Sequence, residues 1–274
     1  MAKYSEINHL INTAFNTNNN IRYIPAINPI DYIFYNCQRL ILTDDSAIPF
    51  AGIISNHLED YNKLHIKCKK LLLIHNPPDA RRKKEDIYIL KQKMAAGGID
   101  CLYFDEYTRD TWQDNEARII PYGIPTQKIL DSIDTDNCYV KPKKILIVNF
   151  HKDDNIKKLY DQIKLNNIEC DYLDTLPATI QKFAKYIQQY QLVINLANIN
   201  VHFSLMSILC GALVVCPQIS PTLSINSILQ VSSFNQIYQV INNFTYNKEQ
   251  LLLDKKNILD SYNETQYQST LEVL

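Results

Sequence analysis

The chain has 274 residues, enough for two compact domains of ordinary size. Its 28 basic residues face 29 acidic ones, so the formal charge of −1 excludes a general polyanion-binding character and leaves only a local patch for any nucleic-acid contact. Apolar residues make up 46% of the chain, ample for a core in each half. No apolar run reaches the ~18–20 residues of a membrane span, and the polar start Met1-Ala2-Lys3-Tyr4-Ser5-Glu6 lacks the apolar core of a signal peptide. The 7 cysteines are scattered singly without a C-x-x-C pair, which speaks against a disulfide framework or a structural zinc site. These features predict a cytoplasmic protein.

In chain order, residues 1–20 read as a helix and a loose loop, and strands are predicted at 39–43, 70–74, 99–103 and 118–121. Helical spacing falls at 50–61 and 85–96. A polar stretch over 126–143 then breaks the pattern. Strands resume at 144–149, 169–172, 192–196 and 212–216, with helices at 154–165, 179–190 and 202–210 and a mostly helical tail from 248. Runs such as Leu71-Leu72-Leu73-Ile74 and Ile145-Leu146-Ile147-Val148 are apolar throughout, as parallel strands buried on both faces are. Alternation of this kind predicts an α/β chain of doubly wound parallel sheets. The restart at midpoint predicts two Rossmann-like domains, residues 1–125 and 126–274, with a ligand cleft between them.

The candidate functional residues sit where these strands end, because ligands of open α/β sheets bind outside the carboxyl ends of the strands. His75 and Asn76 follow an abruptly ended strand, and a histidine there is a candidate base. Arg81-Arg82-Lys83-Lys84 is a cationic loop suited to an acceptor or a phosphate backbone, although a solvated surface loop reads the same way. Gly123, between Pro121 and Pro125, permits a tight turn or the close approach of a ligand. His151, Lys152 and Lys157 follow the first strand of the second half, where a helix start and lysines would hold an anion. Neither G-x-G-x-x-G nor a Walker A pattern is present. The stretch Asn195 to Val215 is the richest: Asn198, His202 and Ser204 cluster at a helix start, and Gly211 closes the helix. A glycine there is also an ordinary helix cap. Asp134-Thr135-Asp136 spells D-x-D but lies in the polar stretch between the halves, and reads as a loop rather than a metal site.

In this order the motifs resemble those of the GT-B glycosyltransferases, in particular the large metal-independent group that uses nucleotide-sugars. The resemblance covers residues 39–245. It rests on the strand ending in His75, the turn Ile120-Pro121-Tyr122-Gly123-Ile124, the basic loop after the next strand, and Leu209-Cys210-Gly211-Ala212-Leu213-Val214-Val215. The short first half looks most like small phage or viral enzymes. Two carboxylates usual in that group fall at Asn198 and Met206 here, and its glycine-rich loop near the amino terminus is absent.

The resemblance implies transfer of a sugar from a nucleotide-sugar to an acceptor hydroxyl, without a cofactor or metal. His75 would be the base. Gly123, His151, Lys152, Lys157, Asn198, His202, Ser204 and Gly211 would hold the donor, with its phosphates between the turn after Asn149 and the helix at His202. Asn76, Arg81 and Arg82 would meet the acceptor, a glycan, a lipid or modified DNA. The alternatives are an inactive GT-B-like binding or scaffold protein and a phage-type enzyme glycosylating DNA bases.

Overall fold

A computed structural model of the chain describes residues 21–25, 39–44, 69–74, 88, 91–92, 99–134, 144–150, 152–196, 201–217 and 225–273. The chain divides into two compact units, one of residues 1–121 with 269–274, the other of residues 122–268.

The first unit holds five parallel strands: β1 (Ile21–Pro25), β2 (Arg39–Asp44), β3 (Lys69–Ile74), β4 (Ile99–Tyr103) and β5 (Arg118–Ile119). Each described strand pairs with the next in sequence, in the order β1-β2-β3-β4-β5. The expectation of double winding is therefore corrected here, because no reversal occurs among the described strands. β1 was not foreseen; it is short, ends in proline and pairs only with β2 among the described strands, as edge strands tolerate. After β4 the chain enters α1 (Glu106–Thr111), a short helix also missed. Asp105 caps it, its carboxylate accepting from Thr108 N at 2.7 Å and Thr108 Oγ1 at 3.0 Å. Beside it Asp114 accepts from Tyr103 Oη at 2.9 Å and pairs with Lys91 at 3.0 Å. Of the helix predicted over 85–96, Tyr88, Lys91 and Gln92 are described and helical. The helix predicted over 50–61 lies outside the described residues.

The second unit contains α2 (Thr126–Leu130), then β6 (Ile145–Val148), α3 (Asp154–Leu165), β7 (Cys170–Leu173), α4 (Ile180–Ile187), β8 (Leu192–Asn195), α5 (Val201–Leu209), β9 (Leu213–Cys216) and β10 (Ile228–Gln230). After these come α6 (Phe234–Asn243), α7 (Lys248–Ser261) and α8 (Glu264–Val273), whose last residues group with the first unit. The sheet is parallel with order β10-β9-β8-β6-β7. The chain steps from β6 to β7 on one side, then returns to place β8 on the other. That reversal makes this sheet doubly wound and defines a switch point between β6 and β8.

Every residue of β6, β8 and β9 is buried, which explains their unbroken apolar runs. The residues of α5 are buried all round, and the helix contacts α2, α4, α7 and β9. α3 instead presents one apolar stripe, Ile156, Leu159 and Ile163, to the core. Helix α2, within the stretch read as a polar break, the three-residue strand β10 and helix α6 were not foreseen.

Candidate functional site at the carboxyl edge of the second sheet

The switch point brings Val148 of β6 and Asn195 of β8 into register as neighbours. Just beyond Val148, Asn149 is fully buried and organises the loop into α3. Its Nδ2 donates to Asp153 O at 2.8 Å and Tyr172 Oη at 2.7 Å, while its Oδ1 accepts from Asp153 N at 2.8 Å. Lys152 N closes the turn on Asn149 O at 3.1 Å, and Lys152 takes a left-handed φ of 55°. An asparagine side chain thus ties down a turn that other α/β proteins build with glycine.

The start of α3 is not open to an anion. Asp153 caps it, its carboxylate accepting from Asn155 N at 2.7 Å, and Asp154 occupies the first turn. Two carboxylates therefore stand where the helix dipole would otherwise attract a phosphate. Of the expected phosphate site, the helix terminus at this turn is therefore already occupied by carboxylates, which leaves only its lysine side chains to face an anion. Lys152 and Lys157 are exposed on the same segment, beside those carboxylates.

The start of α5 is different, with no acidic residue in its first turn. His202 is only 4% exposed and meets Tyr122 edge to face, ring centroids 5.1 Å apart; Tyr122 in turn packs on Tyr262. Burial pushes the His202 imidazole down from its ordinary 6.5 to about 3. It is therefore neutral at physiological pH, offering one N–H donor and one acceptor but no charge. Ser204 and Asn195 are each 3% exposed.

Gly211 and Gly123 have roles of their own. Gly211, at φ 82°, ends α5: its N–H donates to Ile208 O at 2.8 Å and Ala212 N to Ser207 O at 3.1 Å. It precedes β9 and so lies at the amino edge of the sheet, not with the expected donor-binding residues. The close approach that Gly123 permits is to Tyr267, since a Cβ there would come within 2.4 Å of Tyr267 Cδ1. Next to it Ile124 N donates to Tyr262 O at 2.9 Å.

The structure thus puts Lys152, Lys157, His202 and Ser204 on segments that leave or follow the carboxyl ends of β6 and β8. His75, Asn76, Arg81, Arg82, His151 and Asn198 lie outside the described residues. Asn149 and Asn195 were not singled out from sequence as site residues. The polar residue directly ending each buried apolar strand was the signal that could have found them. Among the described residues no group of three His, Cys, Asp or Glu side chains is placed to hold a metal ion. None of the described helices is long and apolar enough to cross a membrane.

Fold and site define a parallel α/β protein with Rossmann-like features. No family model matches the chain, and no curated protein matches it.

Proposed function

We infer that the chain is a nucleotide-sugar-dependent glycosyltransferase whose second unit binds the donor. The observation that carries this reading is the reversal between β6 and β8, which gathers the buried, uncharged Asn195, His202 and Ser204 at the carboxyl edge of a doubly wound sheet. Such edges are where this architecture holds nucleotides. In this reading the donor diphosphate rests on the acid-free start of α5, with Lys152 of the loop after β6 or Lys157 of α3 supplying charge. The sugar's bond to the phosphate breaks as its anomeric carbon joins an acceptor hydroxyl, and His75 takes the hydroxyl proton.

A second reading, binding without turnover, has one observation in its favour. Met206, where the resembling family carries a carboxylate, is fully buried within α5, so a charged group has no place there.

Thermal-shift screening of the full chain against uridine, guanosine, thymidine and cytidine nucleotide-sugars tests both readings, since a ligand held by the native state raises the melting temperature. A shift with release of free nucleotide on adding acceptor supports transfer, and a shift with none supports binding alone. Replacing Lys152 and His202 together by Ala is expected to weaken binding more than replacing Arg81 and Arg82. The reverse order, by calorimetry, would move the anion to the first unit and favour a nucleic-acid acceptor.

A further inference from the structure

We propose that Tyr172 is a positioning residue for Lys152: acting through Asn149, its hydroxyl fixes the turn that carries this lysine and so aims the charge at the donor diphosphate. The inference rests on the donor-binding reading and adds the residue that holds its cation in place.

Tyr172 reaches the turn from a different strand. It lies in β7 opposite Ile147 of β6, one residue before Leu173, whose carbonyl accepts from Asn149 N at 2.8 Å. Its half-buried ring leans on Tyr160 of α3, with centroids 5.1 Å apart and planes tilted by 45°. The phenol is thus braced between its own strand and the helix that follows the turn. A rigid aromatic side chain held in this way presents its oxygen at little entropic cost.

That oxygen orients a fully buried amide. Asn149 Nδ2 has two hydrogens, and they go to Tyr172 Oη at 2.7 Å and Asp153 O at 2.8 Å, while Oδ1 accepts from Asp153 N at 2.8 Å. Two of these three bonds stay inside the turn, between Asn149 and Asp153. The bond to Tyr172 is the one that ties the amide to the neighbouring strand.

Lys152 lies between the two residues so joined. Its N–H donates to Asn149 O at 3.1 Å, and its φ is 55°. A left-handed φ is unfavourable for a residue with a Cβ and persists where the surrounding bonds impose it. The chain of contacts from Tyr172 through Asn149 therefore sets the backbone of an exposed lysine. A cation on a fixed backbone loses less freedom on meeting an anion than one on a loose loop, so the bond acts on affinity without touching the ligand.

Tyr172→Phe keeps the ring and removes the oxygen. In the full chain it is expected to weaken calorimetric affinity for whichever of UDP-glucose, UDP-N-acetylglucosamine, GDP-mannose and dTDP-glucose binds best by roughly fivefold, the worth of one hydrogen bond. In the Lys152→Ala background, which keeps the Cβ and removes the charge, the same change is expected to cost less than about twofold. An equal loss in both backgrounds would make Tyr172 merely structural and overturn the proposal, as would no loss in the wild-type background. Amide hydrogen exchange read by NMR needs no ligand. The N–H groups of Lys152 and Asp153 are expected to exchange at least about fivefold faster in Tyr172→Phe, with those of α4 unchanged. Unaltered exchange at both residues overturns the proposal. If wild type binds none of the four nucleotide-sugars, the donor reading fails by itself, and the exchange rates then decide whether Tyr172 positions Lys152.

Discussion

Replacing Gly123 by Ala probes the contact between the irregular segment that opens the second unit and its last helix. The added Cβ would stand 2.4 Å from Cδ1, 2.5 Å from Cγ and 2.9 Å from Cε1 of Tyr267. Carbon atoms prefer ~3.5–4.0 Å, so the overlap is about 1 Å with the body of a ring, not the tip of a flexible chain. The ring has little room to retreat: Tyr267 is 2% exposed, and Ile124 N holds Tyr262 O at 2.9 Å just before α8 begins. Overpacking of this kind costs ~1–3 kcal/mol, and the full figure is expected. The positive-φ argument does not apply, since among the described glycines the left-handed φ belongs to Gly211. Steric overlap is thus the whole effect, and a double-mutant cycle isolates it. Urea denaturation followed by far-ultraviolet circular dichroism should show Gly123→Ala destabilising the wild-type background by ~1–3 kcal/mol and the Tyr267→Ala background by less than ~0.5 kcal/mol. An equal loss in both backgrounds would show that Gly123 is required for some reason other than this ring.

His202 makes stability depend on pH. Its native pKa, about 3, lies below the ordinary 6.5, so the unfolded chain binds a proton that the native state refuses. The stability is complete above about pH 6.5 and falls as pH drops toward 3, by up to ~1.4 kcal/mol per unit. His202→Gln should flatten that slope between pH 6 and 4, as read from urea midpoints; an unaltered slope would place the proton elsewhere. Ser227→Ala should raise stability by ~1 kcal/mol by removing a buried, unpartnered hydroxyl. Asp254→Ala should lower it by ~1–3 kcal/mol, because the buried Asp254 accepts from Ser227 N at 2.7 Å and Gln250 Nε2 at 3.1 Å. Identical melting temperatures for these two variants would contradict the local hydrogen-bond account. Lys152→Gly should be tolerated within ~0.5 kcal/mol and Lys152→Val should lose ~1–3 kcal/mol, because Lys152 has φ 55°. Thermal melts that rank valine with glycine would refute the left-handed turn.

What the sequence determined by itself was local. The bounds of α3, 154–165, follow from an acidic cap and an apolar stripe at helical spacing, and both signals lie within one segment. Strands β6, β8 and β9 of the second sheet were legible within a residue or so because double-sided burial leaves unbroken apolar runs such as Ile145 to Val148. Capping by Gly211 was legible too, since a glycine ending a helix before a buried strand has a local explanation. Elements with weaker local signals, β1, α1, α2, β10 and α6, escaped.

Only the tertiary structure decided the rest, because each remaining property depends on what is packed from elsewhere in the chain. Strand order is one: nothing in β6, β7 or β8 says that the chain turns back between them, whereas the first sheet runs in sequence order over its described strands. The charge state of His202 is another. A histidine at a helix start reads as a phosphate ligand until burial against Tyr122 and the surrounding core removes its proton. The start of α3 reads as an anion site until Asp153 is seen capping it.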